Sequence, residues 1–418
     1  MIELLSSVVL LLIVLFLTIW EKRYYNCLFT PFNVTAWPFV IISVVVNLFA
    51  VRIKFLPVSV RVNFFILVNL IIIWVVGYLI YHFNKVPLQR IDTYAIFSPF
   101  KIFRPFLIVL SWIVIILVGM RVSSILSKEG LSYIGTDKFE RMMIVGYSAH
   151  LSQLAKVLLI LFVLSIWNSR KTILDYVTIF ALVLVVLSLM VKYHLIWVIL
   201  IIFFIKNFNL SYRKQVRKIQ TISLIVVVVF ILNYLILIFS WRTFSAANPK
   251  MWNFIFSLLL NYLMSGPIVL DRWLDLAYTK PWWSLFIVPM NLINVVVGDP
   301  ERLNAVRFVS VGWLRVAPDL YSNVGTSFGV YYIIGGFPLT FLSTIVISFI
   351  SYLIFTWSYK TKDAIIIFLN ALFLTLGILS FFVQYFTLLS TYEITFFYIV
   401  LIGVFKFILK VKSLQSPG

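Results

Sequence analysis

The sequence predicts an all-α fold: a polytopic bundle of about 11–12 transmembrane helices with one long extracytoplasmic loop holding short interfacial or re-entrant helices. Three observations carry this expectation. Hydrophobic residues make up 63% of the 418 and charged residues only 11%, a composition outside the range of soluble domains. Apolar runs of roughly 17–25 residues recur along the chain, each long enough to cross a hydrocarbon core of ~30 Å as a helix. Between two such runs, residues 241–327 change character and gather polar turns and charges of both signs.

The spans fall near residues 2–20, 36–51, 62–81, 104–120, 142–166, 173–191, 193–206, 219–239, 331–357, 364–382 and 393–409. The first is followed, not preceded, by charge (Glu21, Lys22, Arg23), which is the reverse of a cleaved signal, so a retained helix is expected. Short-loop Lys and Arg set the orientation. Lys206, Arg213, Lys214, Arg217 and Lys218, like Lys85, Arg90, Lys101 and Arg104, place their loops in the cytoplasm. Arg170, Lys171, Lys360, Lys362 and the tail Lys406, Lys410 and Lys412 agree in alternation, which puts the C-terminus inside and the N-terminus outside. One loop contradicts the rule, because Arg52, Lys54 and Arg61 fall on the outer side; a miscounted weak helix would give twelve spans and an inner N-terminus.

Three regions follow: N-terminal spans in 1–240, the outer loop 241–327, and C-terminal spans with a basic tail in 328–418. Inside the loop, "SAANPK", "YTKPWW" and "GDPERLN" separate two apolar pieces, 251–264 and 282–298, short for spans and suited to lying along head groups. Trp241, Trp252, Trp273, Trp282, Trp283 and Trp313 suit that position, since an indole keeps one wet edge there. The net charge of +20 would suggest nucleic acid in a soluble protein; here it reads as cationic residues retained on the cytoplasmic side, and the partner is the bilayer. A single cysteine, Cys27, excludes an internal disulfide, and no Cys/His spacing suggests a metal or cofactor.

Candidate functional residues concentrate where both signs of charge occur. The loop holds Asp271, Asp275, Asp299, Glu301 and Asp319 beside Arg242, Arg272, Arg302, Arg307 and Arg315. Arginine suits phosphate oxygens because its planar fork meets two of them at once. In "SGPIVLDRWLD", Ser265 as N-cap and Pro267 in the first turn predict a helix over 267–277. Asp271 and Asp275 then share a face, with Arg272 turned away by about 100°. One carboxylate would serve as a general base and Arg272 as a phosphate or sugar clamp; a capped, solvated helix explains the same residues. In "YSAHLSQLAK", Tyr147, His150, Gln153 and Lys156 form an intramembrane stripe, a default functional signal that helix packing or snorkelling also explains. Lys192 sits at a tight outer turn, as a ligand or an interfacial anchor. "LYSNVGTSFGVYYIIGG" offers Asn323, Thr326 and Ser327 as neutral hydrogen-bonding groups beside glycines that allow close backbone approach.

The order of "NSRKTIL" (Ser169, Arg170), "NYLMSGPIVLD", "SNVGTSF" and the glycine-rich helix entry resembles the bacterial oligosaccharide repeat-unit polymerases, the Wzy-type O-antigen polymerases, over about residues 165–345. Gly325 stands where that family often has Tyr, and "YYIIGG" lacks the Asp that often precedes its first glycine. The resemblance implies a GT-C-like, metal-independent glycosyltransferase of the bacterial inner membrane, with its active site facing the periplasm. Its partners would be undecaprenyl-diphosphate-linked oligosaccharides, as donor and acceptor, and a chain-length regulator. Arginines would stabilise the departing diphosphate, and Asp271, Asp275, Asp319 or His150 would accept the acceptor's proton. An O-antigen ligase would share donor and chemistry. A lipid-linked oligosaccharide flippase would be expected to show two related halves and short loops throughout, and an enzyme using polyprenyl monophosphate sugars to show acids in its first outer loop.

Overall fold

A computed structural model describes residues 1–84, 91–134, 136–143, 146–188, 193–207, 210–240, 249–276, 282–297, 312–318 and 320–415. The chain opens with three long antiparallel helices, α1 (Ile2–Tyr25), α2 (Pro31–Ile53) and α3 (Val60–Asn84). Short α4 (Thr93–Phe97) and a 3₁₀ turn lead into α5 (Arg104–Glu129). Then come α6 (Asp137–Met143), α7 (Tyr147–Ser165), α8 (Ile173–Ser188), α9 (Tyr193–Asn207) and α10 (Tyr212–Ser240). After α11 (Pro249–Trp273) and α12 (Ile287–Val297), strands β1 (Leu314–Ala317) and β2 (Leu320–Ser322) pair antiparallel. The chain closes with α13 (Ser327–Ser358), α14 (Ala364–Ile378) and α15 (Leu389–Gln415).

Among the described residues, eight segments are long and apolar enough to cross a membrane, with two shorter apolar helices at 173–188 and 194–207. The protein is therefore a helical, multi-pass membrane protein. Their boundaries follow local chemistry. Thr30 caps α2 by accepting from the Asn33 amide at 3.2 Å, and Pro31, which has no amide hydrogen to satisfy, opens it. Asp363 caps α14 in the same way through the Ile365 amide at 2.7 Å.

Because lipid offers no hydrophobic drive between spans, small and polar side chains join them. Ser7 and Ser43 hydroxyls lie 2.7 Å apart, and Ser43 donates to Asn63, joining α1, α2 and α3. Asn47 donates to the Val58 carbonyl at 2.9 Å and accepts from the Val58 amide at 2.7 Å, which fixes the α2–α3 turn. Thr344 donates to Asn69 at 2.8 Å between α13 and α3. Gly77 lets the Tyr352 ring lie flat on α3; a Cβ there would sit 2.3 Å from it.

Four local expectations are corrected. Helix α1 runs past residue 20 to Tyr25, and Glu21 is 2% exposed, inside the bundle rather than on a charged flank. No separate helix begins at 267: α11 continues through Ser265, Gly266 and Pro267, so Ser265 is not an N-cap. The apolar face of 265–270 is buried throughout, and packing of that face outweighs the one hydrogen bond Pro267 removes. The loop also contains a two-stranded hairpin. Finally, α13 begins before residue 331 and breaks at Gly335 and Gly336, where φ = 65° and ψ = −158° at Gly336 is open to glycine alone.

Candidate functional site

At one end of the bundle, segments far apart in sequence meet around the last turns of α11. Arg61, in the first turn of α3, reaches Asp271 in the last turn of α11 and Asp275 in the turn that follows it. Its Nη1 donates to Asp275 Oδ1 at 2.7 Å, and its Nη2 donates to the Asp271 carbonyl at 2.9 Å and to Asp271 Oδ1 at 3.2 Å. Ser59 Oγ donates to the same Asp271 oxygen at 2.6 Å. One guanidinium thus fixes the end of α11, satisfying a terminal carbonyl while orienting two carboxylates. The expected helix over 267–277 ends at Trp273, so Asp275 lies beyond it; Arg61 rather than a shared helical face brings the two acids together, and Arg272 is exposed.

The Arg61 guanidinium beside Asp275 holds that carboxyl below its usual range. A depressed folded-state value means the pair stabilises fully above the ordinary carboxylate range, and loses that contribution as pH falls through the depressed value. Thermal midpoints of the wild type and Asp275→Asn should therefore differ at neutral pH and converge in acid. A gap that persisted in acid would assign it to something other than the ion pair.

The motif segments pack directly on one another here. Trp273 is fully buried, and a Cβ on Gly325 would lie 2.1 Å from its ring, one on Gly329 2.8 Å. Ser265 Oγ and Ser322 Oγ are 2.9 Å apart, and Asn261 donates to the Tyr321 carbonyl at 3.0 Å. The Leu56 amide donates to the Val316 carbonyl at 2.9 Å, tying the hairpin to the α2–α3 turn. Arg315 stands exposed on β1 opposite Tyr321, its Nε donating to the Ala317 carbonyl at 3.2 Å. Thr326 is buried and accepts from the Gly329 amide at 3.0 Å as the cap of α13, while Asn323 is half-buried just before it.

Adjoining α13, a narrow cleft of about 70 Å³ is bounded by α2, α3, α13 and α14. Ser327, Tyr331 and Gln384 line it towards the hairpin, and Thr35, Thr344 and Ser348 further along. Its lining carries hydroxyls and an amide and no carboxylate, His, Lys or Arg, so it suits neutral polar groups, and the charged side chains stand outside it.

His150 bonds Glu393 at the start of α15, and Lys156, wholly buried, donates to Gln153 at 2.6 Å. The predicted stripe therefore divides: exposed His150 pairs with α15 near the start of α7, while Lys156 and Gln153 bond each other inside the bundle. Asp319, Arg242, Arg302, Arg307 and Lys192 lie outside the described residues. Arg61 and Ser59 are additions to the site. The signal for Arg61 was its violation of the charge rule: a cation on the wrong side needs a partner there. Among the described residues no three His, Cys, Asp or Glu side chains gather as metal ligands would.

Fold and site together define a multi-pass helical membrane protein with a cluster of charged side chains at one end and a separate hydroxyl-lined cleft beside α13. The chain belongs to DUF6337, a family of unknown function whose model matches residues 55–414 and so includes Ser59, Arg61, Asp271 and Asp275. No curated protein and no solved structure matches the chain.

Proposed function

We propose that the protein is an integral membrane glycosyltransferase that polymerises undecaprenyl-diphosphate-linked oligosaccharide repeat units on the outer face of the bacterial inner membrane. The observation that supports this reading is the convergence of three of its four motif segments, "NYLMSGPIVLD", "SNVGTSF" and the glycine-rich entry of α13, in one packed unit beside exposed arginines. The fourth, around Ser169 and Arg170, lies in the turn between α7 and α8.

In this reading the acceptor hydroxyl attacks the donor's anomeric carbon, its proton passes to Asp271, and the diphosphate leaves with the bonding electron pair. Exposed Arg272 and Arg315, with Arg242, Arg302 and Arg307 of the same loop, neutralise that leaving group. Arg61 is a positioning residue that holds Asp271 and the end of α11. Asn323 and the hydroxyl-lined cleft meet sugar hydroxyls; Thr326 contributes the cap that sets the glycine-rich entry.

The glycan ladder of a strain lacking the gene tests this. Surface glycans are expected to stop at one repeat unit, and complementation with Arg272→Ala or Arg315→Ala to leave inserted protein with long chains reduced tenfold or more. Normal ladders in the deletion strain would refute the proposal. Long lipid-linked polymer that is never transferred would indicate a ligase, and single repeats trapped on the cytoplasmic face a flippase.

A further inference from the structure

We propose that the opposite end of the bundle, which carries the basic loops, holds a binding site for the phosphate of an anionic phospholipid headgroup. Its frame is an aromatic pair: Tyr94 of α4 and Trp167 of the α7–α8 turn meet edge to face with ring centroids 5.7 Å apart. A lysine stands over each ring. Lys101 Nζ is 5.2 Å from the Tyr94 centroid and donates to its hydroxyl at 2.9 Å, while Lys206 Nζ, at the end of α9, is 5.0 Å from the Trp167 centroid. Lys171 lies near enough to Lys206 for the two ammonium groups to repel.

Two lysines thus face an aromatic pair, and a third, Lys171, lies close enough to Lys206 to repel it. The carboxylates closest in sequence are engaged elsewhere: Asp92 accepts from the Tyr94 and Ala95 amides, and buried Asp175 binds Arg104 and Thr172. Cation–π contact lowers the cost of bringing the lysines together without compensating their charge, so an anion completes the cluster. A second, independent feature points the same way. In the turn that carries Trp167 and Lys171, Ser169 Oγ is buried and has no hydrogen-bond partner among the described residues, a donor of the kind phosphate oxygens accept. The turn is held by Asn168 in the left-handed region at φ = 56°.

The ligand is a lipid phosphate rather than a free one because the rim is apolar. Ile102, next to Lys101, is 52% exposed, and Ile173, two residues after Lys171, is 79% exposed. Acyl chains would cover both while the headgroup meets the lysines at the depth where aromatic residues anchor a bilayer.

Full-length protein, delipidated in a neutral detergent, would be titrated with phosphatidylglycerol and followed by native mass spectrometry. A saturable adduct is expected, weakened tenfold or more in the combined Lys101→Gln, Lys171→Gln, Lys206→Gln protein. Lys54→Gln, which changes a cation at the α2–α3 turn at the other end of the bundle, should leave it unchanged. Exposed Lys171→Glu provides a second variant should the triple substitution reduce folding, and it too should weaken the adduct. Retention of the adduct in a folded variant, or equal binding of zwitterionic phosphatidylcholine, would overturn the proposal. Displacement by inorganic phosphate with no preference for the lipid would overturn the assignment to a lipid.

Discussion

Replacing Gly266 by alanine is expected to remove most of the folded protein. A Cβ at that position would lie 2.0 Å from the Phe381 carbonyl oxygen, a backbone atom that no rotamer change can withdraw. On the other side Thr326 Cγ2 would be 3.6 Å away, so α11 has little room to shift. Overpacking of a rigid contact costs about 1–3 kcal/mol and occasionally more, and contact with backbone belongs at the upper end. The loss should appear as a lower thermal midpoint in detergent and a larger aggregated fraction on size exclusion. Gly119→Ala is the control, since nothing lies within 4 Å of a Cβ there and that residue also sits inside a span. Equal midpoints for the two variants would show that α11 does not lie against the 379–381 turn.

Glu21→Ala should be nearly as damaging for a different reason. The buried carboxylate accepts from Thr30 Oγ1 at 2.7 Å and from the Tyr352 hydroxyl, which itself accepts from the Phe32 amide at 3.2 Å. Thr30 caps α2 and Tyr352 stacks on Tyr25 at 5.7 Å, so one side chain joins α1, α2 and α13. Alanine would leave two buried hydroxyls without their acceptor, at about 1–3 kcal/mol each, and a cavity besides. Glu21→Gln keeps the shape and an acceptor oxygen, and should retain most of the stability. Thermal midpoints in the order wild type, Gln, Ala are expected; if Gln and Ala fell together, the site would need the acid itself rather than its hydrogen-bonding geometry.

These two residues show what the sequence discloses and what it hides. The apolar runs were legible because lipid selects for composition over a fixed length, and every predicted span from 2–20 to 393–409 overlaps a helix. Glu21 was misplaced because an acid beside Lys22 and Arg23 looks like a flank; only Thr30 and Tyr352, 9 and 331 residues away, make it an interior group. The Ser-Gly-Pro step was misread as a helix start because capping rules see the next few residues. Burial of 265–270 against α13 and the 379–381 turn, which decides the matter, is a property of the tertiary structure. Helical spacing, being local, brought Asp271 and Asp275 together in the sequence, but α11 ends between them at Trp273. Their partner was not legible, since nothing near residue 61 names residue 271.

That separation affects how the molecule is made. Arg61 leaves the ribosome 210 residues before Asp271, which at about 5–20 residues per second is a delay of roughly 10–40 s. Throughout that interval the α2–α3 turn carries a guanidinium with no acid from α11 to meet it, and this contact of the first three helices stays unmade. The Arg61 contact is therefore a late, long-range clasp, made only after the second half of the chain has begun to be synthesised and α11 has arrived.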